Sequence, residues 1–279
     1  MIRIITDSSS DLSLHRSQET DIDIIPFKIN FGHESYRSLH DITNEEFYEK
    51  LKQSEDLPTT AQITPGEFES IFREYVDQGD EIIGLFISSN MSGTYHSAMA
   101  ARERVDPSKI FIVDSMTVTF ALALLVEEAV KMRDQGNLSA AEIAQRLEDL
   151  VPRTFLWAAV ENLEYLKKGG RLSPASAWVA GILGVYPVIT IKNGLVETAG
   201  KARGRDSAYK VIAGLLDKVE ISSDYSIALG HSNAPKEIDY FSSRFKDYLK
   251  KHRVHVCDIG STVGTHVGPG ACGIAYIAK

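Results

Sequence analysis

The chain has 279 residues, near twice the usual domain size. With 43% hydrophobic and 24% charged residues it is neither disordered nor a fibrous repeat. A formal net charge of −8 disfavours nucleic acid, because a phosphate-binding surface needs clustered Lys and Arg, and the one cluster here is Lys201, Arg203 and Arg205.

Ile2–Thr6 reads as a short apolar strand, followed by the polar turn Asp7-Ser8-Ser9-Ser10-Asp11 and a helical pattern from Leu12 to Gln18. This opening lacks the basic and apolar regions of a signal peptide, so export is not expected and the cytoplasm is. Ile22–Ile29 is a second β-rich run. Thr43-Asn44-Glu45-Glu46 and Thr64-Pro65-Gly66-Glu67 are capping boxes that open helices, the second with Pro at its first position and Gly79 at its end. Between them, Pro58-Thr59-Thr60-Ala61-Gln62 has no apolar periodicity and is expected to be a loop.

Ile82–Ile87 is a buried-strand run, Ser88–Ser92 a loop, Gly93–Arg104 a helix and Ile110–Val113 another strand. Helices follow over Val118–Gln135 and from the Ser139 cap to Leu150. Strands alternating with helices predict a parallel sheet covered on both faces. Beyond about Pro152 the texture changes: Val185–Ile191 and Leu195–Thr198 flank Asn193-Gly194, the strongest short hairpin signal. Helices at Asp206–Lys218 and Pro235–Lys251 and strands at Ser226–Gly230, Val254–Ile259 and Ile274–Ala278 complete a second unit. The expected architecture is two α/β domains. Residues 1–151 carry a mainly parallel sheet flanked by helices, residues 152–279 a mixed sheet including a hairpin, and a ligand site lies between and within them.

The most apolar stretches, Val118–Val126 and Trp178–Ile191, are too short or too interrupted to span a bilayer, so no integral insertion is expected. Cys257 and Cys272 lack a CxxC spacing or a neighbouring His, and are expected to be free structural thiols with no metal site.

Several segments carry chemistry and a simpler reading together. The Asp7–Asp11 turn sits at the carboxyl end of the first strand, where open α/β sheets bind ligands, and equally where a helix needs a cap. An aspartyl nucleophile would want Asp-x-Asp there, and Ser9 occupies the second position. Ser88-Ser89-Asn90-Met91-Ser92-Gly93-Thr94 offers hydroxyls and a glycine that admits close backbone approach, or simply a Ser N-cap. Gly268-Pro269-Gly270-Ala271-Cys272-Gly273 matches the dinucleotide fingerprint, but the six residues after Gly273 leave no room for the crossover helix, so no nucleotide cofactor is expected. What remains there is a glycine-rich loop carrying Thr265 and His266. Lys167-Lys168-Gly169-Gly170-Arg171 suits a helix C-terminus or an anion.

Taken together, Asp7–Asp11, Pro58–Gln62, Ser92-Gly93-Thr94-Tyr95, Gly169-Gly170-Arg171-Leu172 and Gly264–Gly270 resemble the DegV family, in its order and over nearly the whole chain. The resemblance implies a non-catalytic, lipid-binding protein that holds a long-chain fatty acid of palmitate size without a cofactor. Its carboxylate would be bonded by hydroxyls that map to Thr60 and Ser92, with Ser9, Gly93, Thr94 and Thr265 as supporting loop residues. In some bacteria such proteins are the acyl-carrying subunit of a fatty acid kinase, whose separate ATP-binding subunit phosphorylates the carboxylate. The family's Arg and His near that partner map to Arg171 and His266. One departure is visible: the family often has Ser then Gln-Pro-Ser after its two threonines, where Ala61-Gln62-Ile63-Thr64 stands here. Two alternatives compete: a serine esterase or thioesterase using Ser92 and His266 with Asp7 or Asp114, and a lipid transport or sensing module with no kinase.

Overall fold

Apolar runs bounded by polar turns form the strands, and capped stretches the helices, in a computed structural model that describes residues 1–174, 176 and 184–279. The first elements are β1 (Ile2–Asp7), α1 (Leu14–Thr20), β2 (Ile22–Ile25), β3 (Lys28–Phe31), β4 (Glu34–Arg37), α2 (Asn44–Gln53) and β5 (Thr59–Ala61). They continue as α3 (Pro65–Asp77), β6 (Glu81–Phe86), α4 (Thr94–Val105), β7 (Ile110–Asp114), α5 (Thr119–Gln135) and α6 (Ala140–Leu150). After a 3₁₀ turn come β8 (Thr154–Ala159), α7 (Glu164–Lys168), β9 (Val185–Lys192), β10 (Leu195–Arg203) and α8 (Arg205–Leu216). The chain closes with β11 (Ile227–His231), α9 (Pro235–Arg244), α10 (Lys246–Leu249), β12 (Val254–Asp258), α11 (Ser261–Val267) and β13 (Cys272–Ile277).

The fold is mixed α/β. One sheet is wholly parallel, in the order β2-β1-β6-β7, and its strands are near-continuous apolar runs because helices cover both faces. A small antiparallel sheet, β4-β3-β5, stands beside it. The third sheet is mixed, in the order β10-β9-β8-β13-β11-β12, and contains the β9–β10 hairpin that turns at Asn193 and Gly194, both at positive φ. Both expected capping boxes form, at Thr43 with Glu46 and Thr64 with Glu67, and the Ser139 cap is a third, with Glu142.

Several expectations change. Ile22–Ile29 is not one strand: Pro26, with no N–H to give, separates β2 from β3, which join different sheets. Pro58–Gln62 is not a plain loop, because Thr59–Ala61 pairs as an edge strand with β3, where backbone hydrogen bonding needs no apolar alternation. The glycine-rich segment at Thr265 and His266 is helical, as α11, with its glycines packed close to neighbours. The helix expected over Pro235–Lys251 breaks at Phe245 into α9 and α10. β8 and β4 have no counterpart in the expected elements; β8 lies between two other strands and is too uniformly apolar to be told from a buried helix by period. Of the Trp178–Ile191 stretch, residues 178–183 lie outside the described residues, Gly184 is a turn residue, and Val185–Ile191 belongs to β9.

α5 is apolar on nearly every side because it lies between the two large sheets. Leu122, Leu125, Val126 and Ala129 pack with Ile83, Leu85 and Val113 of the parallel sheet. Phe120, Ala121 and Leu124 pack in one cluster with Leu156, Ala158, Ala228 and Ala275 of the mixed sheet.

Candidate functional site

The carboxyl ends of β1 and β6 meet the small sheet and α11 at the junction of the two halves. Asp7 ends β1, and its carboxylate accepts from the Ser9 amide (2.8 Å), the Ser9 hydroxyl and the Ile87 amide (2.9 Å). It therefore holds the Ser8–Ser10 turn against the end of β6, and burial raises it to about 6. Ser8 Oγ, which accepts from the Phe27 amide at 3.0 Å, shares a 2.9 Å hydrogen bond with Thr262 Oγ1 on α11. Asp11 accepts from the Gly260 amide (2.9 Å) and from Thr119 Oγ1, so one buried carboxyl ties the start of α11 to the start of α5.

The loop before α4 is clamped from the other half. Ser88 Oγ donates to the Gly194 carbonyl and Asn90 Nδ2 to the Asn193 carbonyl, both at 2.8 Å. The tip of the β9–β10 hairpin thus positions the segment that carries Ser92. Arg171, following α7, donates from Nε to the Met91 carbonyl at 3.0 Å and from Nη1 to the Gly169 carbonyl. Burial lowers the Arg171 pKa below its ordinary value.

These elements enclose a cavity with about 160 Å³ of space for the centres of water-sized spheres, where a single water needs about 10–15 Å³. Its walls are mainly apolar, among them Phe27, Val118, Phe120, Leu156, Ile189 and Val196. Its polar lining comes chiefly from Thr60, Gln62, Ser92, Arg171 and His266, of which Thr60, Ser92, Arg171 and His266 are half-buried whereas Phe27, Phe120, Leu156 and Ile189 are buried.

At the polar lining, Thr60 Oγ1 and His266 Nε2 are 2.9 Å apart. Ser92 Oγ shares a 3.0 Å hydrogen bond with Thr94 Oγ1 and accepts from the Thr94 amide at 3.2 Å. Gly93 lacks the Cβ that would stand 2.1 Å from Gln62 Oε1, so the absence of a side chain admits Gln62. Burial, and then the Arg171 charge, lowers His266 to about 4, which leaves the imidazole neutral at pH 7. Its Nδ1 has no hydrogen-bond partner among the described residues and lies where a Cβ on Gly169 would come within 2.4 Å.

Thr60, Ser92, Gly93, Arg171 and His266 are thus brought to one cavity. Thr94 is buried beneath it, and binds Ser92 and the Ile63 amide. Ser9 and Thr265 do not line it: Ser9 spends its hydroxyl on Asp7, and Thr265 on the Ser261 carbonyl one helical turn back. Sequence reasoning passed over Gln62, Met91 and Thr262 as lining residues, although Gln62 and Met91 both lie in segments that carry candidate site residues. A nucleophilic triad is not assembled, since Ser92 bonds Thr94 and not His266, while Asp7 accepts from Ser9 and the Ile87 amide and Asp114 from the Ser89 and Met116 amides. No group of three or more His, Cys, Asp or Glu able to hold a metal exists among the described residues, and no helix there is long and apolar enough to cross a membrane.

A family model described as "Uncharacterised protein, DegV family" matches residues 1–279. The chain belongs to the DegV family. A DegV domain-containing protein of Caldanaerobacter subterraneus is 32% identical over 279 residues, covering 100% of this chain and 99% of its own. Among solved structures, a stearic acid-binding protein from Eubacterium ventriosum superposes with a TM-score of 0.90 at 28% identity, over 100% of this chain and 99% of that one. DegV from Bacillus subtilis, described as a fatty acid binding protein, gives 0.87 at 29% identity over the same shares. A DegV family protein from Thermus thermophilus, described for its fatty acid binding, gives 0.89 at 26%, again over 100% and 99%.

Proposed function

We propose that this chain binds a long-chain fatty acid in the junction cavity, with the carboxylate at Thr60 and Ser92, and presents it to a separate ATP-dependent kinase subunit. The observation that carries the reading is an apolar cavity whose polar lining combines two hydroxyls with a neutral imidazole. DegV relatives described as fatty acid binding, at similar fold and full coverage, support the ligand class. The tail supplies most of the affinity: about 14 buried methylenes at about 0.8 kcal/mol each give a gross term near 11 kcal/mol.

The head group is a matter of orientation. For Thr60 to donate to a carboxylate, its oxygen must accept from His266 Nε2–H, the tautomer that leaves the unpartnered Nδ1 without a proton. The Arg171 Nε and Nη1 donors are engaged by backbone carbonyls, so they do not clamp the carboxylate, and one of its oxygens stays approachable. The sequence has no phosphate-binding Walker loop, so nucleotide and Mg²⁺ belong to the partner. In this reading the domains are residues 1–151 and 152–279, and the ligand lies at their junction.

Mass spectrometry of the denatured, purified protein is expected to release about one equivalent of fatty acid, and Ser92→Ala and Thr60→Val each to weaken binding by about 1–3 kcal/mol. An empty protein that also ignores oleate and palmitate in calorimetry would refute the ligand. With a kinase ATP-binding subunit, Arg171→Ala should retain the acid yet lose acyl-phosphate formation by about 10²- to 10³-fold. Equal turnover by the variant would remove Arg171 from that step, and none by the unaltered protein would favour transport or sensing.

A further inference from the structure

The inner face of the mixed sheet is graded in size. Strand register places Gly230 opposite Gly273, Gly273 opposite Ala158, and Ala158 opposite Ile189, in one row across β11, β13, β8 and β9. Paired residues share a face, and Ala158 and Ile189 both line the cavity, so the two glycines continue the same floor beyond it. One row further, Ala228 and Ala275 are paired as well, so the floor there carries no side chain larger than a methyl group.

Phe120 sits on that bare patch. A Cβ on Gly230 would lie 2.0 Å from its Cδ1 and 2.2 Å from its Cε1, and a Cβ on Gly273 would lie 3.0 Å from its Cζ. The ring therefore fills a space that two cross-strand glycines leave open. Phe120 lines the cavity, whereas Leu124, one turn further along α5, lines a second and wider cleft of about 640 Å³ by the same measure. That cleft lies over the other end of the sheet, where Ala228 and Cys257 of β11 and β12 form its wall. α11 runs the same way: Gly260, before its start, borders the second cleft, Val263 borders the cavity, and His266 stands at the polar lining.

We propose that Phe120 is the length gauge of the cavity: its ring, seated on Gly230 and Gly273, is the partition that stops an acyl tail short of the second cleft. The inference rests on the fatty acid reading above and adds which residue selects among acids. From β10, beside the polar end, to β13 beneath the ring is three strand intervals, about 14 Å across the sheet. A tail longer than the wall allows must fold back or remain outside. Removing the ring joins the cavity to the cleft over a floor of Gly and Ala, and a longer tail then continues under α5.

The test compares saturated acids of increasing chain length in competition titrations against the unaltered protein, Phe120→Ala and Phe120→Leu, with Gly230→Ala as a variant of opposite sign. Phe120→Ala is expected to move the optimum to longer chains, each newly buried methylene tightening binding about fourfold, the equivalent of about 0.8 kcal/mol. Phe120→Leu, closer in volume and safer for folding, should shift it the same way by less. Gly230→Ala pushes the ring toward the tail and should shift it to shorter chains. An unmoved optimum in the folded Phe120 and Gly230 variants, with the unaltered protein binding normally, overturns the gauge and leaves the fatty acid reading standing. Failure of the unaltered protein to bind any acid overturns both.

Discussion

At the scale of single residues, the junction is built from buried groups whose charge is expensive. Asp7 and Asp11 are raised to about 6 and about 7 by burial, while His266 is lowered to about 4. The signs differ. A carboxyl raised from about 4 binds more protons in the folded state, so its contribution to stability is complete below its unfolded pKa and is lost as pH rises through the folded one. His266, lowered from 6.5, acts in reverse: the unfolded state takes its proton first, and stability falls as pH drops from about 6.5 to about 4. Asp11→Asn keeps an acceptor for the Gly260 amide and removes one titration, so it should flatten the loss of stability between pH 4 and 7. Urea titrations across that range check it; each group contributes at most about 1.4 kcal/mol per pH unit, and an unaltered profile would show that Asp11 does not titrate there.

At the scale of elements, the loops before α4 and at the β9–β10 turn act as a pair. Gly194 has φ 71°, where an L side chain is strained, and a Cβ there would lie 2.3 Å from Ser88 Oγ. Gly194→Ala should destabilise the protein by about 1–3 kcal/mol, read as a shifted urea midpoint, and loosen the segment that carries Ser92. Wild-type stability and ligand affinity in that variant would mean that the hairpin tip does not hold the loop. The turn itself was legible, because Asn-Gly between apolar runs is a local signal; its docking on Ser88 and Asn90 was not, since those partners lie about a hundred positions away. The two capping boxes and the Ser139 cap were legible for the same local reason. α11 was not, because Gly264 and Gly268 read as loop residues, and what favours a helix there is packing: Gly264 leaves room for Phe47 and Tyr48, and Tyr48 donates to the Ile259 carbonyl at 2.8 Å.

At the scale of the whole molecule, the sheets change over near Pro152, but the core does not. One buried cluster joins Ile5, Ile29 and Phe86 to Leu156, Ile189 and Ala275, and Ile277 packs with Leu125 and Ile143 of α5 and α6. Residues 1–151 and 152–279 are therefore expected to unfold in a single transition, and a fragment ending at 151 to aggregate, because α5 would expose the face that rests on the mixed sheet. Two resolved transitions in calorimetry would contradict this. Sequence alone determined whatever depends on neighbours in the chain: the alternation of strands and helices, the caps, the hairpin turn, and the motif blocks through which Thr60, Ser92, Arg171 and His266 resemble the DegV family. Tertiary structure alone decided which hydroxyls face the cavity and which are consumed internally, as Ser9 and Thr265 are. It also decided that His266 meets Thr60 across 206 positions, and that Phe120 rests on paired glycines. The physical reason is range: propensity, capping and turn chemistry act over a few residues, whereas a cavity is the space left between elements whose separation in the chain leaves no trace in local pattern.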